Sequence, residues 1–148
     1  NAGRGVEAFV SHADWAPTFL ELAGVRTERS FSGASLVPFL RGQIPAGWRD
    51  EIHMQCNGVE LYYTQRSVMT REYKYVFNGF DEDELYDLRR DPHEMRNLAA
   101  DPAYEGVKRD LVRRMWRFAL QEGDRVINPY ITVALAPYGP AEAFRAER

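Results

Sequence analysis

A single cysteine, Cys56, is all the sequence holds. That excludes an internal disulfide and any metal site built from several cysteines. No apolar run approaches the roughly 18–20 residues of a membrane-spanning helix. Positive charge is not in excess, since 19 Lys and Arg stand against 22 Asp and Glu for a net charge of −3. The chain as a whole therefore exerts no pull toward nucleic acid or an anionic membrane. The opening residues, Asn1-Ala2-Gly3-Arg4-Gly5, carry neither an initiator methionine nor the apolar centre of a signal peptide. They read as the start of a piece of a longer chain. Histidine is scarce, and His12, His53 and His93 share no metal-ligand spacing. A phosphate-binding loop, a Gly-x-Gly-x-x-Gly fingerprint and a Gly-x-Ser-x-Gly elbow are all missing.

What remains is the material of a globular fold. Across 148 residues the hydrophobic fraction is 45% and the charged fraction 28%, which argues against disorder. A chain of this length buries about two-thirds of its unfolded surface. Ala8-Phe9-Val10 reads as a short strand. A helix follows, with Ser11 or Asp14 as N-cap, Pro17 in its first turn and Gly24 at its C-terminal cap. Its apolar face is expected at Phe19, Leu20, Leu22 and Ala23. Ser35 to Leu40 reads as a further helical turn or two, stopped by Gly42.

From Asp50 the pattern changes to strands: Glu51 to Gln55, Leu61 to Met69, Tyr73 to Phe77 and Glu84 to Leu88, with a turn at Asn78-Gly79. Alternation puts Tyr73, Tyr75 and Phe77 on one face, with Lys74 and Val76 on the other. Short links favour an antiparallel sheet. A long helix, capped by Asp101, runs from about Pro102 to Glu122, with Val107, Leu111, Met115 and Phe118 as its buried stripe. Arg113, Arg114 and Arg117 read as a solvated face. The tail from Asn128 to Arg148, with Ile131, Val133 and Leu135, is expected to wrap over a neighbouring surface.

The chemistry-bearing residues read mostly as structural. Asp81-Glu82-Asp83-Glu84 lacks the alternating ligands and closing glutamate of a calcium loop and is expected to be a solvated turn. Cys56, between Gln55 and Asn57, has no basic neighbour in sequence to activate it. Asp91 is placed as the cap of a turn that Pro92 shapes, with Glu94 reaching back to free amides.

The order of motifs nevertheless resembles a family. The segment Ser11 to Gly24 is similar to the sulfatase pattern D-x-x-P-T-x-x-x-x-x-G, and Gly33 to Gly42 to its G-x-S-L-x-P-x-L-x-G. Trp48-Arg49-Asp50 matches W-R-D. The most specific run is Tyr73-Lys74-Tyr75, then Glu84-Leu85-Tyr86-Asp87-Leu88, then Asp91-Pro92-His93-Glu94 and Asn97-Leu98. These motifs resemble the C-terminal region of sulfatases, in the alkaline phosphatase superfamily, across roughly residues 6 to 120.

The resemblance implies an α+β fragment: the end of an α/β catalytic domain, then a four-stranded antiparallel sheet packed against a long C-terminal helix. The implied divisions are 1–47 for the end of the catalytic domain, 48–127 for the subdomain and 128–148 for the tail. It further implies hydrolysis of sulfate esters by a formylglycine nucleophile beside a bound calcium ion, both supplied by upstream sequence. Cys56 is followed by Asn57-Gly58-Val59-Glu60 and does not match C-x-P-x-R, so no catalytic or metal-binding residue carries over, and the fragment alone is expected to be inactive. The expected partners are the upstream catalytic domain and a sulfated small molecule or sugar, with no nucleic acid and no membrane span. A phosphonate or phosphate monoester hydrolase of the same superfamily, or a non-catalytic binding module, are the competing readings. Within the fragment, Arg66, Gln65, His53 and Asn57 are the candidate substrate contacts. Arg66 leads because a guanidinium offers a fixed fork of donors to an anionic or hydroxyl-rich ligand, and Gly58 permits a turn that could aim the loop.

Overall fold

The computed structural model describes residues 3–58, 64–79, 81–125, 127 and 138–144. The chain divides into two compact units, Asn1–Ile52 and His53–Arg148. In the first, Ser11 caps a 3₁₀ turn over His12–Asp14 by a reciprocal box: its hydroxyl accepts from the Ala13 amide, and Asp14 accepts from the Ser11 amide. The chain then winds into α1 (Trp15–Leu22), and Gly24 turns left-handed at φ 67° to end it. A short α2 follows (Val37–Leu40), with Pro38 in its first turn.

Polar ties hold this unit together. Asp14 is fully buried, and Arg49 meets both its oxygens at 2.7 and 2.6 Å while the Ala34 amide donates to it at 2.9 Å. One turn on, the buried Thr18 hydroxyl donates to the Asp14 carbonyl and accepts from the Leu36 amide at 2.8 Å. Gly33 lies so close that a Cβ there would stand 2.2 Å from the Ala13 carbonyl oxygen. The apolar part is small: Val37 and Phe39 are buried, and Phe39 meets the Trp48 ring edge-on at 4.7 Å.

Two expectations fail here. Residues 8–10 form no strand, because a ladder needs a paired neighbour and none of the described residues supplies one. The face of α1 expected to be buried is exposed instead, with Phe19 at 64% and Leu22 at 58%.

The second unit is built on a sheet ordered β1 (Glu51–Cys56), β2 (Gln65–Thr70), β3 (Tyr73–Asn78), β4 (Glu84–Asp87). The division between units falls inside β1. Strands β2 and β3 pair antiparallel with Val68 opposite Tyr75, and β3 and β4 with Tyr75 opposite Leu85. Residues 61–63 lie outside the described residues, so the second strand is seen only from Gln65. Thr70 closes the β2–β3 turn by accepting from the amides of Glu72 and Tyr73.

Helix α3 (Glu105–Gln121) follows a 3₁₀ turn at Pro102–Tyr104, where Asp101 accepts from the Ala103 amide as the sequence suggests. It covers the aromatic face of the sheet. Tyr75, Val68 and Leu85 are wholly buried against Leu111, Val112, Met115 and Trp116, and Phe77 meets the Trp116 ring at 5.0 Å. The expected four-stranded antiparallel sheet under a long helix is what the chain forms.

The helix stripe is rotated from the expected one. Trp116, Val112 and Ala119 are fully inside, whereas Val107 is half-buried and Phe118 stacks on His53 at 4.0 Å. A stripe about 100° wide takes in both neighbours of an i, i+4 row, and the largest ring settles at the centre of the sheet. Arg113 is also not purely solvated, since it is half-buried 3.8 Å from the buried Glu142. Of the tail, 128–137 and 145–148 lie outside the described residues, and Pro140–Phe144 form a 3₁₀ turn. Beside it Tyr138 ties to α3: its hydroxyl donates to Glu105, its carbonyl accepts from Trp116 Nε1 at 2.8 Å, and Lys108 lies 3.9 Å from its ring centre.

Tyr75→Ala is expected to destabilise the second unit by about 3–5 kcal/mol, measured by denaturant unfolding. Lys74→Ala, which loses one half-exposed ion pair, should cost about 1 kcal/mol or less. Equal losses at the two positions would reverse the face assignment. In the first unit, burial pushes the Asp14 carboxyl up, but Arg49 and the amides of Ala34 and Ser11 outweigh it and hold the group below its ordinary value of 3.8. Its contribution to stability is then full above pH 3.8 and is lost as the pH falls through the lower folded value. Amide-exchange protection of residues 11–36 should follow that acid limb, and Asp14→Asn should be weaker at neutral pH with a shallower limb.

Candidate functional site

The four residues singled out from sequence do not converge. Arg66 lies on the helix-facing side of β2 and is 3% exposed. Its Nε donates to Asp124 Oδ2 at 2.6 Å and an Nη to Oδ1 at 3.0 Å, while the other Nη donates to the carbonyls of Gln65 at 2.8 Å and Cys56 at 3.3 Å. The fork that suggested a ligand is turned inward, joining the end of β1, β2 and the exit of α3.

The helix end explains why Asp124 stands there. Gly123, at φ 67°, donates to the Leu120 carbonyl, and Asp124 donates to that of Ala119. That is the paired-bond stop of a Schellman motif, and it delivers the Asp124 carboxylate to the Arg66 guanidinium. A charge buried this deeply needs a partner with good geometry. The substrate-contact reading of Arg66 is therefore corrected to that of an internal tie.

Gln65 points to the opposite face, where its amide donates to Asn78 Oδ1 at 2.8 Å. His53 is half-buried with its ring flat on Phe118. Asn57 is exposed at the end of β1, beside Gly58 at φ 72°. Residues 59–63, which the loop idea also needed, lie outside the described residues.

The acidic turn is put to use rather than left to solvent. Asp83 accepts from the Tyr75 hydroxyl at 2.6 Å and the Asn78 amide, and Glu84 accepts from Asn78 Nδ2 and the Tyr86 hydroxyl. Burial and the neighbouring Asp83 charge raise the Tyr75 pKa, and the bond to Glu84 leads the effects that push Tyr86 up to about 12. Glu94 does not reach back to amides. It takes φ 54° and accepts from Lys74 Nζ at 2.6 Å, while Asp91 accepts from the Arg96 amide.

The face of the sheet away from α3 holds a groove of about 270 Å³, lined by Met54, Gln65, Ser67, Lys74, Val76 and Glu84 among others. Alternation along β2 and β3 marks this face in the sequence, but the groove itself depends on how four strands come together. Among the described residues no group of three or more His, Cys, Asp or Glu is placed to hold a metal ion, so the residues present do not fit a calcium site. No helix is long and apolar enough to cross a membrane.

Losing either half of the buried pair is expected to cost about 3–5 kcal/mol. Arg66→Ala and Asp124→Ala should each lower the melting temperature of the second unit, and the double variant should fall well short of their sum. An unchanged melting temperature in Arg66→Ala would return the residue to the ligand-facing role.

Comparison with known proteins meets this geometry from outside. Residues 1–121 match the family described as N-sulphoglucosamine sulphohydrolase, C-terminal. The multifunctional alkaline phosphatase superfamily protein PehA of Trinickia caryophylli is 33% identical over 144 residues, covering 88% of this chain and 28% of PehA. The N-acetylglucosamine-6-O-sulfatase of Bacteroides thetaiotaomicron is 33% identical over 122 residues, covering 76% of this chain and 21% of that protein. The solved phosphonate monoester hydrolase of Agrobacterium radiobacter superposes with a TM-score of 0.72 at 30% identity, over 81% of this chain and 27% of that one. The chain thus spans about a quarter of the length of these relatives. It belongs to the N-sulphoglucosamine sulphohydrolase C-terminal family, a C-terminal part of the sulfatases in the alkaline phosphatase superfamily.

Proposed function

We propose that this chain is the C-terminal portion of a hydrolase of sulfate esters, with a sulfated small molecule or sugar as substrate. The single observation that carries the reading is the family match across residues 1–121. The N-acetylglucosamine-6-O-sulfatase similarity supports the sugar. The nucleophile, a formylglycine in sulfatases, and the calcium ion belong in this reading to the upstream catalytic portion. No residue of this chain is assigned to either, and no step is derived through them. Residues 1–47 would close the catalytic domain, 48–127 would form the subdomain, and 128–148 the tail.

The part played by this chain is architectural. It is a sheet held against α3 by Trp116 and by the Arg66–Asp124 tie, offering a rigid outer face and strand ends to a neighbouring catalytic portion. A site set on packed elements holds its geometry better than one on free loops.

A second reading, hydrolysis of phosphonate or phosphate monoesters, is favoured by the TM-score of 0.72 to a phosphonate monoester hydrolase. The full-length protein, assayed on an aryl sulfate, a 6-O-sulfated glucosamine and a phosphonate monoester, separates the two. The highest kcat/KM on a sulfate is expected. The highest value on the phosphonate would overturn the first reading in favour of the second. The 148-residue chain alone should hydrolyse none of them, and calcium-dependent turnover lost on Cys56→Ala would refute that.

A further inference from the structure

Helix α1 is inside out. Its polar residue Thr18 is buried, as is Asp14 just before it, yet Trp15, Phe19 and Leu22 are 54%, 64% and 58% exposed. Those three stand at i, i+4 and i+7 and so share one face. The only charge on the helix is Glu21, and it lies 4.0 Å from Arg41. Elsewhere in the same unit Leu40 and Ile44 are 61% and 71% exposed. A helix in water normally turns such a face to a core. Here the Asp14–Arg49 and Thr18–Leu36 ties fix the polar side inward and leave the apolar side turned out. An exposed set of this size marks an interaction surface rather than scattered surface residues.

We infer that the Trp15–Phe19–Leu22 face is the docking surface for the upstream catalytic portion of the parent polypeptide, through an apolar patch on that portion. The inference rests on the reading of the chain as a C-terminal portion, and it adds which surface makes the joint. The occupant follows from length. The relatives extend well beyond the matched segment, which is 28% of PehA and 21% of the N-acetylglucosamine-6-O-sulfatase. An upstream portion in the same polypeptide meets the face at a high effective concentration. The near absence of charge on α1 calls for an apolar counterpart, not an ionic one.

Hydroxyl-radical footprinting of the full-length parent protein tests the joint without a variant. Each residue's rate is compared with its rate in the unfolded protein, and Met95, 84% exposed in the second unit, serves as the open reference. Trp15, Phe19 and Leu22 are expected to be slowed severalfold and Met95 hardly at all. Three residues as open as Met95 would overturn the proposal. Protection that disappears on dilution to a monomer, followed by light scattering, would assign the face to a second copy and also overturn it. In the same protein Phe19→Asp should lower the melting temperature while Met95→Asp leaves it in place, and an unmoved temperature in Phe19→Asp counts against the joint. None of these readouts involves turnover, so a failure of the sulfate-ester reading leaves them intact.

Discussion

A carboxylate taken out of water must be met by a cation and by N–H donors, and each unit of this chain is organised around one such meeting. In the first, Asp14 is gripped by both arms of Arg49 and by the amides of Ser11 and Ala34. In the second, Asp124 is gripped by Arg66, whose remaining donors go to two backbone carbonyls. The bidentate geometry supplies direction as well as energy. It sets where the turn around Ala34 lies against α1, and where the exit of α3 lies against β1 and β2. Removing one partner would strand a charge, so the fold is more sensitive to these pairs than their number suggests.

The two pairs do different mechanical work because the apolar material around them differs. The second unit has a real core: Trp116, Tyr75, Val68, Leu85 and Val112 are all fully buried in contact with one another. There the ion pair pins the ends of elements that would pack in any case. The first unit buries little beyond Val37 and Phe39, so its polar ties carry the arrangement. That imbalance is why the second unit reads as a self-sufficient sheet and helix. The first reads as a surface prepared for something larger.

Local pattern made the second unit legible. The alternation Tyr73, Tyr75, Phe77 announced a buried aromatic face, and the register places it there. Asp101 and Gly24 announced helix boundaries close to the observed ones. What could not be read is what depends on distance along the chain. Arg66 and Asp124 are 58 positions apart, and nothing near Arg66 in sequence tells whether its guanidinium faces a ligand or a carboxylate. Lys74 and Glu94, 20 apart, are another such case: the pair takes up the glutamate that looked free to cap a turn. Trp116 was passed over because an i, i+4 row and its neighbour are equally apolar, and only the sheet decides which is central.

The failures in the first unit have one cause. Residues 8–10 have strand composition without a strand, and α1 has a core face without a core. Each expectation was sound as a statement about residue types and wrong about this chain, because burial and pairing belong to a partner as much as to the segment itself. Propensity and amphipathic pattern report the environment a segment suits, whichever polypeptide surface provides it. When two neighbouring segments suit an interior and both stand outside one, the mismatch itself carries information. It places the missing surface at the first unit, on the apolar side of α1.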